Sequence, residues 1–148
     1  GNTEVVAKTI AYVLNGFGAA TSQRISETST LDLNNVDFLF IGSPTQDRDA
    51  SPATRAFLDR LPPNSLMRIS AAAFDTRLQW PRLLAGSGAH SIARRLRQLG
   101  AKILLSPESF TVKATEGPLC DGEFERATGW ARLLWEEFEP AQDHARAV

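Results

Sequence analysis

The residues best suited to chemistry lie at three turns of the chain. The first is Gly1-Asn2-Thr3-Glu4, which runs straight into a helical pattern. A helix start offers unpaired backbone N–H groups and the positive end of the helix dipole. With Asn and Thr as added donors, the set suits a phosphate. Asn2 or Thr3 capping the helix is an equally simple reading. The second turn is residues 42–49 (GSPTQDRD), with Ser43, Pro44, Thr45 and Gln46, where the backbone bends sharply after an apolar run. The third is Phe74-Asp75-Thr76-Arg77 with Trp80 shortly after, which sets aromatic rings beside polar groups. A flat ring system needs an apolar or aromatic wall and donors or acceptors at its polar edge. The second and third turns can supply both. Phe74 and Trp80 are equally at home as packing residues, and Arg77 could pair with Asp75 or Glu116.

Other chemistries find little support. Ser43 has no histidine nearby in sequence, and GSPT lacks the G-x-S-x-G pattern of a nucleophile elbow. Cys120 is the sole cysteine, so an internal disulfide and a multi-cysteine metal site are both excluded. Its neighbours Asp121 and Glu123 disfavour a thiolate. His90 and His144 are the sole histidines, too few for a His-rich zinc site. No catalytic residue and no metal ligand is therefore expected.

The elements that would carry these turns alternate. Residues 36–41 (VDFLFI) read as a strand buried on both faces, and residues 67–74 (MRISAAAF) as a second. Residues 101–105 (AKILL) read as a third, continuing past Ser106-Pro107 into residues 109–112. The more polar residues 20–26 suit an exposed edge strand. Helices fill the intervals. One covers residues 3–14 with Val6, Ile10, Val13 and Leu14 on one stripe, and a second starts at Ser51 with Pro52 in its first turn. A third carries Ile92, Ala93, Leu96 and Leu99 and stops at Gly100. The last starts after Asp121 and places Phe124, Ala127, Ala131, Leu134 and Phe138 at helical spacing, with a frayed tail from Pro140 onward. Strands alternating with helices of this length imply parallel βαβ units, with helices on both faces of one sheet. Ligands of such sheets bind beyond the carboxyl ends of the strands, where all three turns fall.

Composition agrees with one compact domain of 148 residues, 43% hydrophobic and 22% charged. No apolar run approaches the roughly 18 residues of a membrane span, and no signal peptide is visible, so a cytoplasmic protein is expected. A net charge of −1 gives no clustered basic excess for nucleic acid. Arg94, Arg95 and Arg97 read as a solvated helix face.

In order along the chain, GNTE opening a helix, VDFLFIGSPT, AAAFDTR and TEGPLCDGEFERATGWA resemble the flavodoxin family, in particular a single-domain branch ending in a GPL…GE…RA…WA helix. The resemblance covers nearly the whole chain. It implies a flavodoxin-like three-layer α/β/α sandwich with a parallel sheet, formed by residues 1–148 as a single domain. It implies FMN as cofactor and electron transfer to a redox partner protein such as a reductase, with the protein a monomer. Asn2 and Thr3 match the loop that cradles the FMN phosphate. Ser43, Pro44, Thr45 and Gln46 match the loop on one side of the isoalloxazine, and Phe74, Asp75, Thr76 and Arg77 the loop on its other side. Phe74 or Trp80 would be the ring wall. Flavodoxins carry a central strand before the phosphate loop, so a short apolar segment ending in small polar residues is expected ahead of Gly1. Two other functions fit the same fold: an interaction module without FMN, and an NAD(P)H:quinone oxidoreductase, whose members usually have longer loops and dimerise. Many flavodoxins are strongly acidic; this chain is nearly neutral, so steering toward basic partners is weak.

Overall fold

The computed structural model describes residues 1–28, 32–80 and 86–147. Among these residues, five strands and four α-helices follow in the order α1 (Asn2–Leu14), β1 (Phe38–Gln46), β2 (Asp49–Ala50), α2 (Pro52–Arg60), β3 (Ser70–Leu78), α3 (Gly88–Gln98), β4 (Lys102–Ile103), β5 (Glu108–Val112) and α4 (Glu123–Ala147). A short 3₁₀ turn, Ile25–Glu27, lies between α1 and β1.

β3 is the axis of the sheet. One edge pairs in parallel with β1, from Phe38↔Ser70 to Pro44↔Thr76. The other edge pairs in parallel with β4 at Ser70 and Ala71, then with β5 from Phe74↔Glu108 to Leu78↔Val112. β2 folds back antiparallel on the end of β1 through Asp47 and Arg48, whose φ angles of 49° and 69° make the tight two-residue turn.

Side chains alternate across this sheet and fill two cores. Ile41, Ala71 and Ala73 face Phe57 and Leu58 of α2 and Ile92 and Leu96 of α3. Ala72 and Phe74 face Val6, Ile10 and Leu14 of α1 and Trp130, Ala131 and Leu134 of α4. The three alanines of β3 are fully buried, and their small side chains let helices on both faces approach closely. Gly42 does the same within the sheet, because a Cβ there would lie 2.0 Å from the tip of the Phe74 ring.

Several expectations shift. Both long strands start later and reach further than their apolar runs: β1 continues through Ser43–Gln46 and β3 through Asp75–Leu78. Met67 and Arg68 lie in a turn ahead of β3. The third strand is interrupted at residues 104–107, so β4 and β5 are separate pieces on one edge of β3. The edge strand expected at residues 20–26 is absent, because no neighbour among the described residues pairs with it. Phe124 is 52% exposed rather than inward. The inward position at the start of α4 belongs to Glu123, which accepts from the Thr111 N–H at 2.7 Å and pairs with Arg126 at 2.8 Å. Arg126 also meets Glu108 at 2.9 Å and stacks 4.7 Å above the Phe110 ring. α4 runs on to Ala147 through most of the expected tail. No described helix is long and apolar enough to cross a membrane.

Candidate functional site

The carboxyl ends of β1 and β3 and the start of α1 meet on one side of the molecule. Thr3 Oγ1 and Thr76 Oγ1 lie 2.7 Å apart and join α1 to the end of β3. Asn2 donates from Nδ2 to the Thr115 carbonyl at 3.4 Å, bringing in the loop after β5. That loop turns at Gly117 with φ of 105°, and a Cβ there would sit 2.5 Å from Asn2 Oδ1.

Of the residues expected at the site, Asn2, Thr3, Pro44, Thr45, Gln46, Phe74, Thr76 and Arg77 line one continuous groove. Ser43, Asp75 and Trp80 do not. Ser43 is fully buried, and its Oγ accepts from the Ser51 N–H at 2.9 Å, fixing the start of α2. Asp75 is fully buried too; its Oδ2 accepts from Ser87 Oγ at 2.7 Å and from the Ala89 N–H at 3.0 Å. Thr45 Oγ1 accepts from the Gly88 N–H at 3.0 Å. Two strands thus cap α3 with their own side chains, and Ser51 caps α2 by accepting from the Thr54 N–H. This is why the polar ends of β1 and β3 are strand rather than loop: their side chains satisfy helix termini behind them.

Neither expected ring-wall residue stands openly in the groove. Phe74 is fully buried, edge-on to Phe110 and Trp130 at centroid distances of 6.0 and 6.2 Å. It is a core residue whose ring tip packs against Gly42. Trp80 is 60% exposed and stands outside the groove lining. Arg77 pairs with neither Asp75 nor Glu116; its Nη1 donates to the Trp80 carbonyl at 2.9 Å, and its buried Nε has no partner among the described residues.

α1 differs from α2 and α3. Gly1 offers no side chain to cap its first turn, and Glu4 Oε2 reaches back only to the Gly1 amino group at 3.5 Å, so the backbone N–H groups of Asn2, Thr3 and Glu4 are open at the carboxyl edge of the sheet. Glu4 lies just behind them, and its carboxyl is held down to about 2 by Arg24 and then Lys8. Thr115 and Glu116 also line this end of the groove. Sequence reasoning missed Thr115; the Gly117-Pro118 turn beside it was the available signal. Among the described residues, no three or more His, Cys, Asp or Glu side chains are grouped to hold a metal ion.

No protein-family model matches the sequence, and no curated protein does. Solved structures do match the fold. Flavodoxin 1 from Bacillus cereus superposes with a TM-score of 0.74 at 19% identity, covering 92% of this chain and 90% of that one. Flavodoxin 2 from the same organism gives 0.74 at 21%, covering 93% and 92%. The rubredoxin oxygen:oxidoreductase of Desulfovibrio gigas gives 0.71 at 14%, with 94% of this chain matching 33% of that larger one. The architecture is therefore the flavodoxin-like α/β/α sandwich.

Proposed function

We infer that this protein binds FMN at the carboxyl edge of its sheet and carries electrons for partner proteins. The observation that carries the reading is the open first turn of α1, set where β1 and β3 end, while α2 is capped by Ser51 and α3 from the sheet. The fold shared with two flavodoxins supports it.

The residues fit the cofactor best at its phosphate end. The N–H groups of Asn2, Thr3 and Glu4, the Thr3 hydroxyl and the Asn2 amide would hold the phosphate, with the helix dipole adding to their attraction. The free Nε of Arg77 is a further donor within the same edge. Pro44 and Gln46, exposed at the end of β1, would flank the ring system. FMN when bound supplies the redox chemistry; the chain holds it, orients it and limits water at its surface.

Titration with FMN followed by visible absorption tests this reading. Thr3→Ala should weaken FMN by about 10- to 150-fold, because a hydrogen bond to a charged group contributes roughly 1.5–3 kcal/mol. Riboflavin, which lacks the phosphate, should bind the variant as it binds the parent. Equal losses for both ligands would assign Thr3 to its bond with Thr76 alone. No spectral change on adding FMN would favour the interaction-module reading.

A further inference from the structure

A second cleft, separate from the groove, opens between α2 and α3 with a volume of about 220 Å³. That is below the roughly 300–1,000 Å³ of small-molecule pockets and suits the end of one side chain. Its floor is apolar, from Leu58 of α2 and Ile92 of α3, both buried. Three arginines, Arg55, Arg94 and Arg95, stand around it.

These arginines keep donors to spare. Arg55 Nη1 reaches Asp49 Oδ2 only at 3.9 Å, and Arg95 Nε reaches Asp59 Oδ1 only at 3.8 Å. Both distances are too long for a hydrogen bond. Arg95 Nε is buried without a hydrogen-bond partner, although Nη1 of the same group donates to Gln98 Oε1 at 3.3 Å. Asp49 is already engaged. A hydrogen bond from Ser91 holds its carboxyl below the usual carboxylate range, and its Oδ1 accepts from the Ala50 N–H at 2.7 Å.

Charge is also unevenly shared between the two faces of the sheet. α2 and α3 hold five arginines and a single acidic residue, Asp59. α4, on the opposite face, has more acidic than basic residues. Among the described residues, no large apolar side chain of α2 or α3 is exposed. The basic face therefore has neither aromatic rings to stack on bases nor apolar side chains to enter a lipid surface. It adjoins the carboxyl edge, because Asp49 pairs with Gln46 at the end of β1 and Gln46 lines the groove.

We propose that the cleft between α2 and α3 docks an acidic segment of a partner protein, taking one of its carboxylate side chains between Arg55, Arg94 and Arg95. The balance of charge selects that class. Three guanidinium groups against Asp49 and Asp59 leave one net positive charge, which a carboxylate neutralises and a phosphate dianion exceeds. Guanidinium groups bond carboxylates through paired N–H donors, and the methylene groups of a glutamate would lie on Leu58 and Ile92. Arg60 and Arg97, exposed on the same helices, would meet further acidic residues along the segment. This docking does not rest on the flavin reading, but it sets the partner beside the edge that would hold the ring.

A hexaglutamate peptide, titrated at low salt into the full chain with no flavin added, tests this through amide chemical shifts. The shifts should centre on Asp49, Arg55, Ser91 and Arg94. Arg55→Gln and Arg94→Gln should each weaken binding about 3- to 10-fold. Both side chains are exposed, so the fold should survive, read as an unchanged urea midpoint. Arg132→Gln removes the same charge from α4 and should leave peptide binding unchanged. Equal weakening by Arg132→Gln would reduce the effect to net charge and overturn the proposal. So would shifts confined to other elements, or none. Inorganic phosphate bound in the cleft as tightly as the peptide would mark a free-anion site and overturn the protein partner. Tighter binding of a DNA oligonucleotide or of phosphatidylserine vesicles would overturn it equally, assigning the face to nucleic acid or to a membrane.

Discussion

β1 and β3 are neighbouring strands of nine residues each, yet their surroundings are opposite. The sequence of β1, FLFIGSPTQ, opens on large apolar side chains; that of β3, SAAAFDTRL, is mostly small and polar. Even so, β3 is buried from Ser70 through Thr76, while Phe38, Leu39 and Phe40 of β1 are only half-buried. The difference lies in their edges. β3 is hydrogen-bonded on both sides, whereas β1 pairs with β3 alone over Phe38–Pro44 and meets β2 only at Thr45 and Gln46. Burial here follows the number of neighbours in the sheet rather than the hydropathy of the strand.

The largest expected effect is a difference between two phenylalanines on the same face. Phe74→Ala should cost about 3–5 kcal/mol, as for a fully buried ring, measured as a lower urea midpoint at unchanged slope. Phe40→Ala should cost about half as much, because that ring is only half-buried. Equal costs would break the comparison.

Next in size is the contact between the two strands. Gly42→Ala should destabilise by about 1–3 kcal/mol, since the new methyl group must displace the Phe74 ring. The loss should shrink in the Phe74→Leu background, where the ring tip is gone. A double-mutant cycle reads that coupling directly.

The smallest effect concerns charge. Burial raises the carboxyl pKa of Glu123, but the bonds from Arg126 and the Thr111 N–H outweigh it, so the net shift is downward. Arg126 is shifted upward, first by its bond to Glu123. A carboxyl whose pKa is lower folded than unfolded stabilises above the unfolded value and loses that contribution as pH falls through the folded one. The urea midpoint should therefore drop as pH is lowered below the ordinary glutamate value of 4.5. Glu123→Gln should flatten that dependence. Glu4, on the groove flank, is also lowered, but its partners are exposed. Its share should appear at still lower pH and vanish in high salt.

Much of this fold was legible in the sequence, for identifiable reasons. Ser51 and Pro52 mark the start of α2, and Gly100, with φ of 102°, marks the end of α3. Buried Val6, Ile10 and Leu14 show the stripe of α1. The polar ends of β1 and β3 misled, because Ser43, Thr45 and Asp75 look like loop residues until the helix termini they satisfy are in view. Phe124 misled because Glu123 took the inward place once Arg126 and Thr111 were there to pair with it. At the site, sequence brought together the right ends of the right strands. It could not tell which polar side chains face the groove and which cap helices, since that depends on how α2 and α3 dock.

The double pairing of β3 also sets the order in which the protein can assemble. Its residues lie midway along the chain, and every long strand of the sheet bonds to it. During synthesis β1 and α1 emerge first, with no sheet to join, until residues 70–78 follow. Nearly all sheet contacts then close at once over long stretches of chain, which makes folding slow for a domain of this size. Substitutions in β3 should slow folding, whereas those on the open side of β1 should mainly hasten unfolding.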